Sequence, residues 1–196
     1  KDDAPKDELD LDATIDETCD NAGHLKIVYR RPRKNTVRLL LLMDSGGSMD
    51  EHRELCAQLF TAVRQSNHFK DLRIYYFHNY IGRYLYTTPE LRYYDRVESD
   101  KVLAELDHRY KTIIFGDGEM SPYELTDHYY GMSGLERLRL FKNHFSHLVW
   151  ITPTEMTYRK GSWYRASYDM IFEEVPMYVM TISDLERAFK HLMVNR

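Results

Sequence analysis

The chain has 196 residues, 43% of them hydrophobic and 30% charged, with a formal net charge of −4. That is enough for one well-filled globular domain, and the slightly acidic balance excludes a general electrostatic pull toward nucleic acid. No apolar stretch is long enough to span a membrane, and no signal peptide is visible. A cytoplasmic protein without membrane or nucleic-acid partners is expected. Its two cysteines, Cys19 and Cys56, form no CxxC pair, which fits a reducing compartment. Cys56 falls in an amphipathic stretch and reads as a small core residue. The 16 tyrosines suggest aromatic surface patches suited to protein contacts.

In chain order, residues 1–20 form an acidic lead-in, with 1–10 expected to be disordered. Leu11, Ile15 and Cys19 recur at helical spacing, and Gly23 can end that short helix. Residues 21–196 are expected to form a single domain. Leu25 to Tyr29 alternates like a strand, and the basic run Arg30 to Asn35 reads as a solvated turn. Val37 to Met43 is almost continuously apolar, as in a strand buried on both faces. Leu55, Leu59, Phe60 and Val63 mark the buried stripe of the next helix. Leu72 to Phe77 is the second strand, and Tyr80 to Tyr86 its antiparallel partner at the sheet edge. A charged loop with Pro89 follows, then a short helix around Val102, Leu103 and Leu106, then a buried strand over Lys111 to Phe115.

Further helices are expected over Tyr123 to Tyr130, Leu135 to Phe145 and Ser167 to Glu174. Strands are expected over His147 to Thr152 and Met177 to Thr181, with a loop from Thr154 to Trp163. Ser183 and Glu186 form a capping box for a final helix, which turns Leu185, Phe189 and Leu192 to the core. Strands alternating with helices argue for an α/β protein: a doubly wound, mostly parallel sheet with one antiparallel edge strand and helices on both faces.

Two segments carry chemistry. The first is the strand ending in Asp44, followed by Ser45, Gly46, Gly47, Ser48, Met49 and Asp50. Ser48 and Glu51 also fit a helix capping box with no metal present. The second is the strand Ile113 to Phe115, followed by Gly116, Asp117, Gly118 and Glu119. There Ser121 can be an N-cap, with Pro122 at the first helical position and Glu124 completing the box. Two strands of one sheet thus each end in an aspartate beside a helix start. Open α/β sheets bind ligands at this carboxyl edge, where strand order reverses. The competing reading of Asp44 and Asp117 is that of ordinary strand-end or turn aspartates. His78 reads as a strand-end histidine satisfied by the backbone. His144 and His147 lack the glutamate of a zincin motif, and Trp150 and Trp163 read as packing residues.

Three stretches bear a family resemblance: Leu40 to Asp50, Tyr75 to Asn79, and Phe115 to Leu125; Val149 to Pro153 and the closing helix fit the same pattern. From Leu11 onward the chain resembles a von Willebrand factor type A (VWA) domain, and more narrowly the bacterial CoxE-like VWA proteins. The resemblance implies a metal-ion-dependent adhesion site built from an Asp-x-Ser-x-Ser loop, a threonine of a second loop and an aspartate of a third. Asp44 and Ser48 match the ends of the first loop, and Asp117 matches the third-loop aspartate. Gly46 stands where the middle serine would be. Ser99, beside Glu98, is the candidate for the second loop. Ser121, Glu98, Gly46 and His78 are candidates for the surrounding shell.

Such a site is hard and oxygen-rich. It suits Mg²⁺ or Mn²⁺ with several retained waters, and it does not suit zinc or copper. The resemblance implies a protein-interaction module rather than an enzyme, with a partner carboxylate completing the metal. The implied partner is a MoxR-type AAA+ ATPase acting in assembly or maturation of another protein. The alternatives are a metal-dependent hydrolase or phosphoesterase at the same strand ends, and a metal-free scaffold with a degenerate site. No nucleophile–base pair and no P-loop accompany the two aspartates, which weighs against the hydrolase.

Overall fold

A computed structural model of the chain describes residues 8–9, 13, 17, 28–30, 37–65, 69–128 and 131–193. The chain divides into two compact units, Lys1–Thr36 and Val37–Arg196. In the first, β1 (Glu8–Leu9) and β2 (Tyr29–Arg30) pair antiparallel, with Glu8 opposite Arg30. The Leu11–Ile15–Cys19 repeat and residues 31–35 of the basic turn lie outside the described residues.

The second unit is a seven-stranded sheet. Its strands are β3 (Arg38–Asp44), β4 (Asp71–Phe77), β5 (Tyr84–Tyr86), β6 (Arg96–Glu98), β7 (Tyr110–Phe115), β8 (His147–Thr152) and β9 (Met177–Val179), in the order β6-β5-β4-β3-β7-β8-β9. β3 lies parallel to β4 on one side and to β7 on the other. Strand order therefore reverses around β3, at the place expected from the two aspartates. The helices are α1 (Arg53–Gln65), α2 (Ser99–Glu105), α3 (Pro122–Thr126), α4 (Gly134–His144), α5 (Trp163–Glu174) and α6 (Ile182–Met193).

The doubly wound, mostly parallel α/β class is the observed one. The antiparallel strand is β5, and it does not form the edge. β6 pairs outside it, with Leu85 opposite Val97. Local pattern hides β6 because three residues with one apolar side chain show no periodicity. Tertiary contacts hold it instead: the Arg96 guanidinium lies 4.3 Å from the Tyr84 ring centroid and 3.6 Å from that of Tyr93.

Alternate side chains of β3 feed two cores, as the two-residue repeat of a strand requires. Leu40 and Leu42 join Phe141, Phe145 and Trp150 on one face. Leu39, Leu41 and Met43 join Phe115, Ala188 and Leu192 on the other, with Leu55 and Cys56 packed against them. The side chains at 59, 60 and 63 fall outside those described.

Helix starts correct several expectations. Residues Gly47–His52 form a 3-10 turn with Gly46 at its N-cap, so the Ser48–Glu51 box does not form. The final helix starts at Ile182, and Thr181 rather than Ser183 accepts the Asp184 N–H, at 3.3 Å. A box absent from expectation opens α4: the Ser133 N–H donates to Glu136 at 2.8 Å, and the Glu136 N–H donates to Ser133 Oγ at 3.3 Å. α5 begins at Trp163, four residues before the expected Ser167.

Phe141 is fully buried against Phe145, their ring centroids 5.9 Å apart. Phe141→Ala should cost about 3–5 kcal/mol, measured as the loss of urea-unfolding free energy.

Candidate functional site

β3 and β7 bring the first pieces together. Asp44 is the last residue of β3 and is 4% exposed. The β3–β7 register places Met43 opposite Phe115, so Gly116 comes level with Asp44. A Cβ at Gly116 would meet Asp44 Cβ at 2.9 Å and its Oδ2 at 3.2 Å, which is why glycine stands there. Trp150 Nε1–H donates to the Gly116 carbonyl at 2.8 Å and pins this close approach from the core. Asp117 follows, 7% exposed, with its Oδ1 accepting the Glu119 N–H at 2.8 Å.

β4 supplies the third piece. Asn79 adopts a φ of 62°, a left-handed conformation that asparagine tolerates well. Its N–H donates to Asp44 Oδ1 at 2.9 Å, and its side-chain amide donates to Glu124 Oε1 at 2.8 Å. The other Glu124 oxygen accepts the Ser121 N–H at 2.9 Å, the carboxylate half of the box expected for α3. Asn79 thus joins β3, β4 and the start of α3.

Burial pushes the Asp44 carboxyl up to about 8, and the neighbouring charges of Asp117 and Glu124 act in the same direction. The N–H groups of Asn79 and Ser45 oppose it only in part. Burial also raises Glu119, helped by Asp117, and pushes the Cys56 thiol up to about 11, with the Asp44 charge contributing. Ionisation of Asp44 is therefore disfavoured at this edge unless a positive group joins it.

The first loop explains its glycine. Gly46 has φ 83° and ψ 177°, a region essentially reserved for glycine. A Cβ there would lie 3.6 Å from His78 Nδ1. The His78 Nδ1–H donates to the Ser45 carbonyl at 2.9 Å, the backbone satisfaction expected of that histidine. Ser45 Oγ donates to the Pro89 carbonyl at 2.7 Å and ties the β5–β6 loop to the tip of β3. Ser48 is exposed on the 3-10 turn just beyond.

Ser99 lies elsewhere. It is fully buried after β6, and its hydroxyl donates to the carbonyls of Gly82 at 2.9 Å and Arg83 at 3.1 Å. Three strand spacings, about 14 Å, separate β6 from β3. Glu98 faces Arg83 at 3.6 Å and Lys101 at 3.3 Å. The fold therefore gathers Asp44, Asp117, Ser121, Gly46 and His78 around the ends of β3, β4 and β7 and leaves Ser99 and Glu98 three strands to the side, at the end of β6.

The loop that reaches β3 is Thr87 to Leu91, which sequence reasoning passed over. Its Thr88 Oγ1 donates to Asp95 at 2.9 Å, and Leu91 holds an unusual φ of 54°. The adjacent Thr88–Pro89 pair was the one available signal. Asn79, two residues beyond β4, was signalled by its suitability for a strand-end turn. Nothing local marks Gly116 or Trp150 as partners.

Among the described residues no group of three or more His, Cys, Asp and Glu side chains is arranged to hold a metal. The donors at this edge are the carboxyl groups of Asp44 and Asp117, with Glu119 and the hydrogen-bonded Glu124 close by, and hydroxyl or amide oxygens. A buried, uncompensated aspartate beside a second one fits a hard divalent cation with few protein ligands. The family model for VWA domain containing CoxE-like proteins matches residues 1–121, more than half of the chain. The chain belongs to this family. Neither the curated proteins nor the solved structures provide a match. Membership makes it a module of the adhesion and protein-interaction type. Among the described residues no helix is long and apolar enough to cross a membrane.

Two outcomes follow for this CoxE-like VWA chain. Gly46→Ser restores the missing hydroxyl type but should cost about 1–3 kcal/mol in thermal or urea unfolding, with no gain in Mg²⁺ affinity by calorimetry. The second concerns pH. Asp44 has an ordinary carboxyl value near 3.8 when unfolded and about 8 when folded. Its contribution is complete below pH 4 and is lost as pH rises to about 8. In EDTA, unfolding free energy should fall between pH 4.5 and 8, and Asp44→Asn should flatten that fall.

Proposed function

We propose that this chain is a protein-interaction module whose contact with its partner depends on a variant adhesion-type cation site. Asp44 and Asp117 supply charge to Mg²⁺ or Mn²⁺, and Ser48 supplies a neutral oxygen. Bound there, the cation offers an open position to a partner's carboxylate. The observation that carries this reading is the buried Asp44 carboxyl at the tip of β3 beside Asp117, raised to about 8 with no basic side chain among the described residues to offset it. Gly46 removes one hydroxyl donor, so the cation is held weakly until the partner completes its shell.

Exposed aromatic residues support a protein contact at the same edge. Tyr123, in α3 just past Asp117, is 67% exposed, and its ring centroid lies 5.6 Å from that of the half-exposed Trp163. Aromatic side chains of this kind anchor interfaces. The proposed partner is a MoxR-type AAA+ ATPase, in assembly or maturation of another protein. We favour binding over catalysis because, among the described residues, no activated nucleophile accompanies the two aspartates.

Calorimetric titration of Mg²⁺ and Mn²⁺ tests the reading. The wild type should give saturable binding, and Asp44→Ala and Asp117→Ala should lose it. A pull-down of the co-expressed AAA+ ATPase should weaken at least tenfold in EDTA. Undiminished capture by EDTA-treated or Asp44→Ala protein would leave a metal-free scaffold, and phosphoester turnover abolished by Asp117→Ala would favour the hydrolase.

A further inference from the structure

A cleft of about 660 Å³ opens between β3's tip, the 3-10 turn, α1 and the β5–β6 loop. That volume lies in the range of pockets that hold a small ligand or a long side chain. Met43, Met49, Tyr76 and Leu91 line its interior; the first three are buried and Leu91 packs against the core beneath. Two methionines make such a wall adaptable to an unbranched apolar stem.

Its charged lining is unbalanced. Asp44 stands buried, while Asp50 and Glu90 are exposed. Among the described residues Arg53 is the one basic residue lining the cleft, and it pairs with Asp50 at 2.8 Å. The two exposed carboxylates, Asp50 and Glu90, against one guanidinium leave the rim net acidic and favour a cationic head above an apolar stem. A lysine or arginine side chain has that form, with its methylenes on apolar surface and its charge at the water boundary.

We propose that this cleft receives a lysine or arginine side chain of a protein partner. The methylenes lie along Met43, Met49 and Leu91, and the charged group meets Glu90 and Asp50. The Ser45–Pro89 hydrogen bond holds the loop carrying Glu90 and Leu91 against β3, so the cleft is formed before the partner arrives. This goes beyond the cation site and does not depend on it, because the head group is met by carboxylates that the cation does not use.

The test uses the full chain with ¹³C-methyl methionine, in EDTA. The probe is a capped Gly-Ser peptide carrying one arginine, compared with the same peptide carrying norleucine or glutamate. Saturable shifts of the Met43 and Met49 methyl signals are expected with arginine, at least tenfold weaker binding with norleucine, and none with glutamate. Ala57→Trp, at an exposed α1 position lining the cleft, should abolish the shifts, and Glu90→Gln should weaken binding several-fold. Equal binding of norleucine, absence of shifts at both methionines, undiminished shifts in Ala57→Trp, or tighter binding of free putrescine than of the peptide would each overturn the proposal. Mg²⁺ titration of wild type and Ala57→Trp keeps the two ideas apart. No peptide response in the wild type with intact Mg²⁺ binding removes only the cleft, and absent Mg²⁺ binding with an intact wild-type peptide response removes only the cation site.

Discussion

Asp44 ends a strand buried on both faces, where its carboxyl group has almost no water to face. Burying an ionised carboxylate is costly unless hydrogen bonds or an opposite charge offset it, and here the charges closest to it are Asp117 and Glu124. The chain responds with fixed dipoles. The Asn79 N–H reaches one oxygen, and the Asn79 side chain at the same time draws Glu124 into its capping role. These contacts lower the cost without removing it. The edge of the sheet is consequently poised for a positive partner, and its surroundings can be understood as ways of holding Asp44 in that state.

Gly116 and Trp150 show how far inward this constraint reaches. The backbone after β7 passes so near Asp44 that a single methyl group would collide with it. An indole N–H from the middle of the sheet fixes that backbone through its carbonyl. Phe77 meets the same Trp150 ring edge-on, with centroids 6.2 Å apart, so the core and the edge are one packed unit. Preorganisation of this kind is what the proposed weak cation site would need, since few ligands tolerate little error in their placement.

The loops divide the edge into two regions of different chemistry. Toward β7 lie Asp117, Glu119 and the aromatic pair Tyr123 and Trp163. Toward β4 lies the apolar cleft, closed by a loop that Ser45 and Thr88 secure. With the proposed cation and the proposed cleft both in place, a partner that touches both regions would meet a carboxylate-seeking ion on one side and a cation-seeking pocket on the other. Opposed preferences side by side give a contact its orientation and exclude partners that carry one sign of charge only.

Local pattern was sufficient for much of this protein. Continuous apolar runs marked β3, β7 and β8, and alternation with helical stripes implied the doubly wound sheet. Asp44 and Asp117 were legible because a polar residue directly after a buried strand is conspicuous, and the family motifs reinforced them. Ser121 with Pro122 and Glu124 was legible because a helix start is chemistry within four residues. Thr181 took the place of Ser183 because neighbouring hydroxyl residues compete for one cap, and the chain's direction into the helix selects between them. Tertiary structure alone decided that β6 forms the edge, that Ser99 is turned to the Gly82 and Arg83 carbonyls, and that the Thr87–Leu91 loop reaches β3. It also decided that Gly116 touches Asp44, and that Asn79 joins β3 to α3 across 35 and 45 residues of sequence. The physical reason is range: periodicity and capping act within one turn or one strand, whereas these contacts follow from strand order and register, which no short segment carries.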